Sequence, residues 1–349
     1  MKDTLFVAVH EPHYANLALA QAAGADVYRI PVEMTKFSSK FSKAAAILQN
    51  SAALPSNYNF YFTESTFFYP AIRRKLFLIP RNSKIINLFA TPLLYFLHNN
   101  MHIYGSERKA MLSLLNDVDA CVLLGTLGSE LARKFDSIKG KPSMRTSLWM
   151  TPKVTGAIDK IGAKYNPASK NIFTTARFDF QTKGMDIVLK AFENSHKNDN
   201  ELKLHILGGV KMPHTLLNSL SLSCQKNIIQ HGNLSLENYA SKLPEFSLYV
   251  HMGRGEAFGL AVAEAMYASI PAIVSSQTGS RDLVSKVDKK MIVPLDAHAL
   301  SAQMEKFLSL SEGKKLSISK KAREEATHYT EKEMAPKFAK EFAALKEKL

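Results

Sequence analysis

The chain reads as an α/β protein of two doubly wound halves, each built on a parallel sheet and facing the other across a cleft. Three observations lead there. A length of 349 residues exceeds one comfortable core and suits two domains. Short β-branched runs alternate with longer amphipathic ones, which is the pattern of βα units. The alternation then stops at a small, polar, turn-rich stretch, Gly156 to Lys170, and restarts beyond it. In such sheets ligands gather where strand C-termini and helix N-termini meet.

Taken in order, "TLFVAV", "NFYFTE", "SKIINLFA" and "DACVLLG" read as strands of the first half. The opening apolar patch lacks a small-residue cleavage pattern and reads as a first strand rather than a leader. "ANLALAQAAG", closed by Gly24, and "GSELARKF" read as helices. Beyond the expected linker come strand "NIFTTA", helix "GMDIVLKAFENS", strands "LKLHILGG" and "NIIQHG", and helix "LENYASKL". Strand "FSLYVHM", helix "GLAVAEAMYAS" and strand "PAIVSS" complete the series. In the tail, Thr330 and Glu333 fit a capping box, and Met334, Phe338, Phe342 and Leu345 share a helical face. Pro336 would then sit inside that helix, which implies a kink or a later start. The expected division is 1–165, 166–328, and a C-terminal helix over 329–349 that packs back towards the N-terminal domain.

An apolar content of 46% with 22% charged residues describes a soluble globular protein. Its longest apolar runs fall short of the roughly 18–20 residues of a membrane span. Cys121 and Cys224 lie far apart, so neither a disulfide framework nor a metal cluster is expected, and a reducing cytoplasm is the simplest location. The net charge of +14 points to an anionic partner. It is uneven, because residues 1–165 carry 20 Lys and Arg against 11 Asp and Glu. Between Ser65 and Ser106 no acid occurs, while Arg73, Arg74, Lys75, Arg81 and Lys84 lie among Phe67, Phe68, Tyr69, Phe77, Leu78 and Ile79. Such interleaving suits peripheral contact with an anionic membrane, and it equally suits a solvated basic face over core strands. Nucleic acid is not expected, since no RNA-binding aromatic signature, zinc-finger spacing or basic zipper is found.

Two stretches carry chemistry. In "GRGEAFGLAVAEAM", Glu256 falls in a loop after a buried-strand pattern, and Glu264 falls about one turn into the next helix. The amides of Phe258, Gly259 and Leu260 become free helix N-terminal donors, suited to a phosphate or a sugar hydroxyl. Gly259 permits close approach of a ligand to the backbone. Alone, the pair also fits a helix cap and a solvated acid. In "TTARFDFQTKGMDIVLKAF", Arg177 closes a strand and Lys183–Gly184 opens a helix, so both cations can reach a diphosphate.

Taken together, "ARFDFQTKG", "LHILGG", "IQHGNL", "GEAFGLAVAE" and "SIPAIVSS" stand in an order and spacing that is similar to the nucleotide-sugar domain of GT-B fold retaining glycosyltransferases, specifically glycosyltransferase family 4. The resemblance covers about 171–325 and implies two Rossmann-like domains. It also implies that Arg177, Lys183 and Gly184 hold the diphosphate of a UDP- or GDP-type sugar donor. Glu256, Ala257, Phe258, Gly259 and Leu260 would hold the donor sugar and Glu264 the ribose. Gly208, Gly232, Asn233 and Leu234 would lie near the base. The implied reaction is a metal-independent, cofactor-free, retaining transfer of a hexosyl unit by front-face attack. The implied acceptor is a lipid-linked or polysaccharide component of the cell envelope, met in the cytoplasm or at the inner membrane face. Glu256 and His13 are the expected catalytic residues, with His98 and His102 as further histidine candidates; each histidine also fits a structural role.

Two departures stand out. "HEPHYAN", with His10, Glu11, His13 and Tyr14, occupies the place of a usual Gly-Gly phosphate loop, and in "TGSRDLV" Asp282 only approximates a usual Glu. Three rivals remain: an epimerase or phosphorylase on the same fold, a non-catalytic sugar-nucleotide-binding subunit, and a basic nucleic-acid module with salt-dependent binding.

Overall fold

The β-branched and aromatic runs form two six-stranded sheets in which all neighbouring strands run parallel. The computed structural model describes residues 2–8, 12–31, 40–64, 68–90, 92–99, 108–162, 164–176, 180–210 and 212–349, with backbone alone at 40, 41, 43 and 110. By contacts the chain divides into one unit of Met1–Leu148 with Lys332–Leu349 and a second of Trp149–Glu331.

The first unit holds β1 (Lys2–Ala8), β2 (Asp26–Arg29), β3 (Tyr58–Glu64), β4 (Lys84–Phe89), β5 (Ala120–Leu124) and β6 (Ser143–Thr146), in the order β2-β1-β3-β4-β5-β6. Phe6 and Phe62 stand opposite each other in the β1–β3 register with ring centroids 5.1 Å apart. The helix Glu331–Lys346 lays Phe342 at 4.9 Å and Phe338 at 6.4 Å from Phe62. Phe338, Phe342 and Leu345 are buried and Met334 half-buried, so the helical face read from the sequence packs in this unit. Pro336 lies inside that helix, which begins at Glu331, and the Thr330 hydroxyl donates back to the Thr327 carbonyl at 3.0 Å.

The second unit holds β7 (Asn171–Thr175), β8 (Lys203–Leu207), β9 (Ile228–Gly232), β10 (Leu248–His251), β11 (Ala272–Ser275) and β12 (Ile292–Val293), in the order β12-β11-β10-β7-β8-β9. Its core stacks Phe173 on Phe246 at 4.5 Å, with His205 edge-on to Phe246 at 5.0 Å. His205 Nδ1 and His231 Nε2 are hydrogen-bonded at 2.9 Å, the tautomers setting which ring donates. Part of the expected linker is not loop: Pro152–Ile161 is a helix of this unit. Pro152 starts it, Gly162 with φ 77° ends it, and Val154 and Ile158, four apart, bury its inner face.

The basic segment departs most from expectation. Arg73 is buried and donates to the carbonyls of Ser51, Ala52 and Leu78 at 3.0, 2.6 and 3.0 Å, and also to Leu54. Arg74 donates to Asp119 at 2.6 Å, and Lys75 pairs with Asp117 at 3.0 Å. A buried guanidinium needs this many acceptors. Arg73 and Arg74 therefore close the fold rather than face a charged surface. Beyond them Leu76, Phe77 and Leu78 are exposed, Phe77 at φ 58°, with the Arg81 guanidinium 4.7 Å over its ring.

Candidate functional site

In the second unit the strand order reverses between β7 and β10, and open α/β sheets bind ligands at that crevice. Both strands lead through glycine-bearing loops into helices, Met185–Asn198 and Leu260–Tyr267. Their N-caps, Gly184 (φ 65°) and Gly259 (φ 85°), are left-handed, a conformation glycine adopts without penalty. A Cβ on Gly184 would lie 2.0 Å from the Met252 carbonyl oxygen, so the two loops touch backbone to backbone. Arg254 staples them further. Its amide donates to the Thr182 carbonyl at 2.8 Å, and its guanidinium forks onto Asp186 at 2.8 and 2.7 Å.

That contact brings Lys183 Nζ onto Glu256 Oε2. The pair joins the two sequence motifs, which lie 73 residues apart. His251 Nε2 stands 3.7 Å from the same carboxylate oxygen. Behind it Tyr249 Oη lies 3.4 Å from His251 Nδ1 and 2.7 Å from Thr175 Oγ1, which ties β10 to β7. Burial opposes ionisation of Glu256, but the Lys183 ammonium and the His251 ring outweigh it and hold the carboxyl well below its usual range. For His251, burial dominates and lowers the pKa against the pull of Glu256. The loop beyond is fixed by backbone: the Glu256 carbonyl accepts from the Gly279 amide at 2.9 Å, and the Phe258 carbonyl from Ser280 at 2.8 Å. Gly279 has no room for a side chain, since a Cβ would meet the Ala257 carbonyl oxygen at 1.9 Å.

The remaining expected residues distribute as follows. Phe258 is a core residue, stacked on Tyr329 at 5.6 Å, and Leu260 is buried, so neither side chain faces a ligand and only their backbone amides qualify. Ala257 and Gly259 belong to the same loop. Glu264 is half-buried one turn into its helix, and its charge together with that of Glu256 is felt at the Tyr249 hydroxyl. Gly208 and Gly232 form a bridge at the C-terminal edge of β8 and β9, the Gly208 amide donating to the Gly232 carbonyl at 2.8 Å. Asn233 packs its amide against Gly209, and Leu234 is half-buried beside it. Arg177 lies outside the described residues, as do His10, Glu11 and His102. His13 is the N-cap of the helix Tyr14–Ala22, its Nδ1 accepting from the Ala15 amide at 3.3 Å, and His98 Nε2 lies 3.0 Å from Lys134 Nζ. Among the described residues, no helix is long and apolar enough to cross a membrane.

Sequence reasoning overlooked His251, Tyr249, Arg254 and Asp186. The first two end a strand directly before a glycine-rich loop, a legible position. The Arg254–Asp186 fork joins residues 68 apart and has no local signal.

Two parallel six-stranded sheets with interleaved helices are the α/β two-domain architecture of GT-B glycosyltransferases. Residues 158–325, which lie within the second unit, match the family Glycosyl transferases group 1. The whole chain is similar in structure to sucrose-phosphate synthase from Thermosynechococcus elongatus, with TM-score 0.77, 14% identity and all of both chains covered. It is similar to Anabaena Alr3699/HepE in complex with UDP and glucose, with TM-score 0.71, 13% identity and all of both chains covered. It is also similar to the E. coli trehalose-6-phosphate protein bound with UDP-2-fluoro glucose, with TM-score 0.70, 11% identity and 99% of each chain covered. No curated protein matches it in sequence. The family match over residues 158–325 and the shared fold together support a glycosyltransferase of GT-B fold.

Proposed function

We propose that the chain is a retaining, metal-independent hexosyltransferase of the family 4 kind, using a UDP- or GDP-type sugar and a lipid-linked or polysaccharide acceptor of the cell envelope. The observation that carries this reading is the meeting of Lys183 and Glu256 at the β7–β10 crevice. The UDP- and UDP-sugar-bound neighbours add support for the donor class.

In this reading the donor diphosphate takes Lys183 from Glu256, with Arg177 as second cation. Leaving of the nucleoside diphosphate puts negative charge on its β-phosphate, and fixed cations and helix-end amides stabilise charge where it develops. Glu256, released but kept anionic, accepts hydrogen bonds from donor-sugar hydroxyls, and Glu264 does the same for the ribose. As the anomeric C–O bond breaks, its electron pair passes to the phosphate. The acceptor oxygen bonds the same face of the sugar, and its proton moves to a phosphate oxygen. His13, whose Nδ1 caps a helix, stays a candidate for a supporting role at the carboxyl edge of β1. The exposed Leu76–Phe77–Leu78 tip with Arg81 supports peripheral placement on the inner membrane face, in place of Arg73 and Arg74.

A thermal-shift screen of the full chain against UDP- and GDP-sugars tests the donor assignment, because a ligand at 100 Kd stabilises by about 2.7 kcal/mol. Product analysis with the best donor alone separates transfer from epimerisation. A screen without any stabilising nucleotide sugar overturns the reading.

A further inference from the structure

His251 is the last residue of β10 and only 2% exposed, so its ring is held inside the site rather than at its rim. One ring nitrogen is anchored. Nδ1 meets Tyr249 Oη at 3.4 Å, and that hydroxyl meets Thr175 Oγ1 of β7 at 2.7 Å. The other is not: Nε2 is buried without a hydrogen-bond partner and stands 3.7 Å from Glu256 Oε2, just beyond bonding reach. Gly253 keeps that approach open, since a Cβ there would lie 2.8 Å from His251 Nε2 and 2.8 Å from Glu256 Cβ. Glu256 Oε2 is meanwhile bonded to Lys183. One carboxylate oxygen thus faces two bases able to carry charge, the ammonium in contact and the imidazole a short step away.

We infer that His251 is the alternative partner of Glu256, a positioning residue that takes up a proton from solvent and holds the carboxylate when Lys183 is drawn away. That the donor diphosphate draws it is the part that rests on the proposed function. A buried carboxylate stripped of its cation is costly, so a second cation is needed close by. The imidazolium fits the place. It donates from Nδ1 to Tyr249 Oη and from Nε2 to Glu256, and the Tyr249 hydroxyl donates on to Thr175 Oγ1. Burial lowers the pKa of His251, Glu256 raises it, and Lys183 lowers it further. Departure of Lys183 removes one lowering cause and an arriving diphosphate adds negative charge, so the ring binds its proton more tightly in the complex. Of the other neighbours, Val274 in register on β11 is uncharged, and Glu264 of the helix Leu260–Tyr267 acts at Tyr249. A ligand that draws Lys183 away therefore binds with proton uptake, and its affinity rises as pH falls.

The test follows the His251 ring by NMR in full-length protein with isotope-labelled histidine, the resonance assigned by its loss in H251Q or H251N. In ligand-free K183Q the ring should titrate about one pH unit above its wild-type midpoint. In wild type, saturation with UDP-glucose, UDP-galactose, UDP-N-acetylglucosamine or GDP-mannose, whichever binds, should raise the midpoint similarly. These ligands carry a diphosphate diester with no proton to exchange near neutrality. Calorimetry in buffers of different ionisation enthalpy should therefore count uptake of up to about one proton per ligand, lost in H251Q. A midpoint no higher in K183Q than in wild type overturns the proposal, and so does uptake that persists in folded H251Q. A nucleotide sugar that binds while the ring stays neutral overturns it and leaves the donor assignment standing. A raised midpoint in K183Q with no nucleotide sugar bound supports the exchange of partners and removes the donor assignment alone. The ligand arm needs no change at Lys183 and decides by itself if K183Q does not fold.

Discussion

Acidification from pH 7 to pH 5 should move the two units in opposite directions. In the second unit, burial and then His231, Lys242 and Lys203 push His205 down from 6.5 to about 4. Between those values the unfolded chain binds the proton more readily, so stability is lost as pH falls. In the first unit burial pushes Glu64 up from 4.5 to about 7. There the folded chain binds the proton more readily, and stability is gained as pH falls. Carried through proton linkage from pH 7 to 5, His205 contributes a loss of about 2 kcal/mol and Glu64 a gain of about 2 kcal/mol. The terms nearly cancel in a whole-chain melt, so the assay must resolve the units. Hydrogen exchange by peptide mass spectrometry, corrected for the intrinsic pH dependence of exchange, does so. Protection of β3 amides should rise and that of β8 amides fall, each by about 30-fold where opening is sub-global. E64Q should abolish only the first response. Changes of the same sign in both units, or a β3 response that survives in E64Q, would refute the reasoning.

Three further outcomes follow from packing and exposure. G184A places a Cβ 2.0 Å from the Met252 carbonyl oxygen at a left-handed residue, and should cost more than about 3 kcal/mol by denaturant midpoint. G140A, equally left-handed but with nothing within 4 Å, should cost only about 1–2 kcal/mol; equal losses would discount the loop contact. F342A removes the ring beside Phe62 and should cost about 3–5 kcal/mol, and a loss under 1 kcal/mol would mean the C-terminal helix adds little. F77S, at a residue 69% exposed, should leave the melting temperature unchanged yet weaken flotation with anionic vesicles by about tenfold. Undiminished flotation removes the membrane assignment.

What the sequence disclosed depended on how local the cause was. β7 and β10 announced themselves as β-branched or aromatic runs because both of their faces are buried. β2, "DVYR", escaped notice because it is a four-residue edge strand with mostly exposed side chains. The helix Pro152–Ile161 was masked by Gly156 and Ala157, although Pro152 and Gly162 frame it. At the site, Lys183 and Glu256 were legible as motifs, whereas the Arg254 fork onto Asp186 exists only once two loops touch. The basic segment misled because composition counts charges without showing where they point. Arg73 reads like a surface cation and is in fact a bolt through four carbonyls. Glu64 drew no attention, since one acid closing an aromatic strand has no pattern until folding buries it.

The central claim is that Lys183 holds donor phosphate and Glu256 holds donor sugar. Calorimetric titration of wild type, K183Q and E256Q with the best nucleotide sugar and with its nucleoside diphosphate tests it directly. K183Q should weaken both ligands by about tenfold or more. E256Q should bind the nucleoside diphosphate as well as wild type or better, because Lys183 is released, while losing the extra affinity conferred by the sugar. A nucleotide sugar that keeps its full advantage over the diphosphate in E256Q would contradict the account.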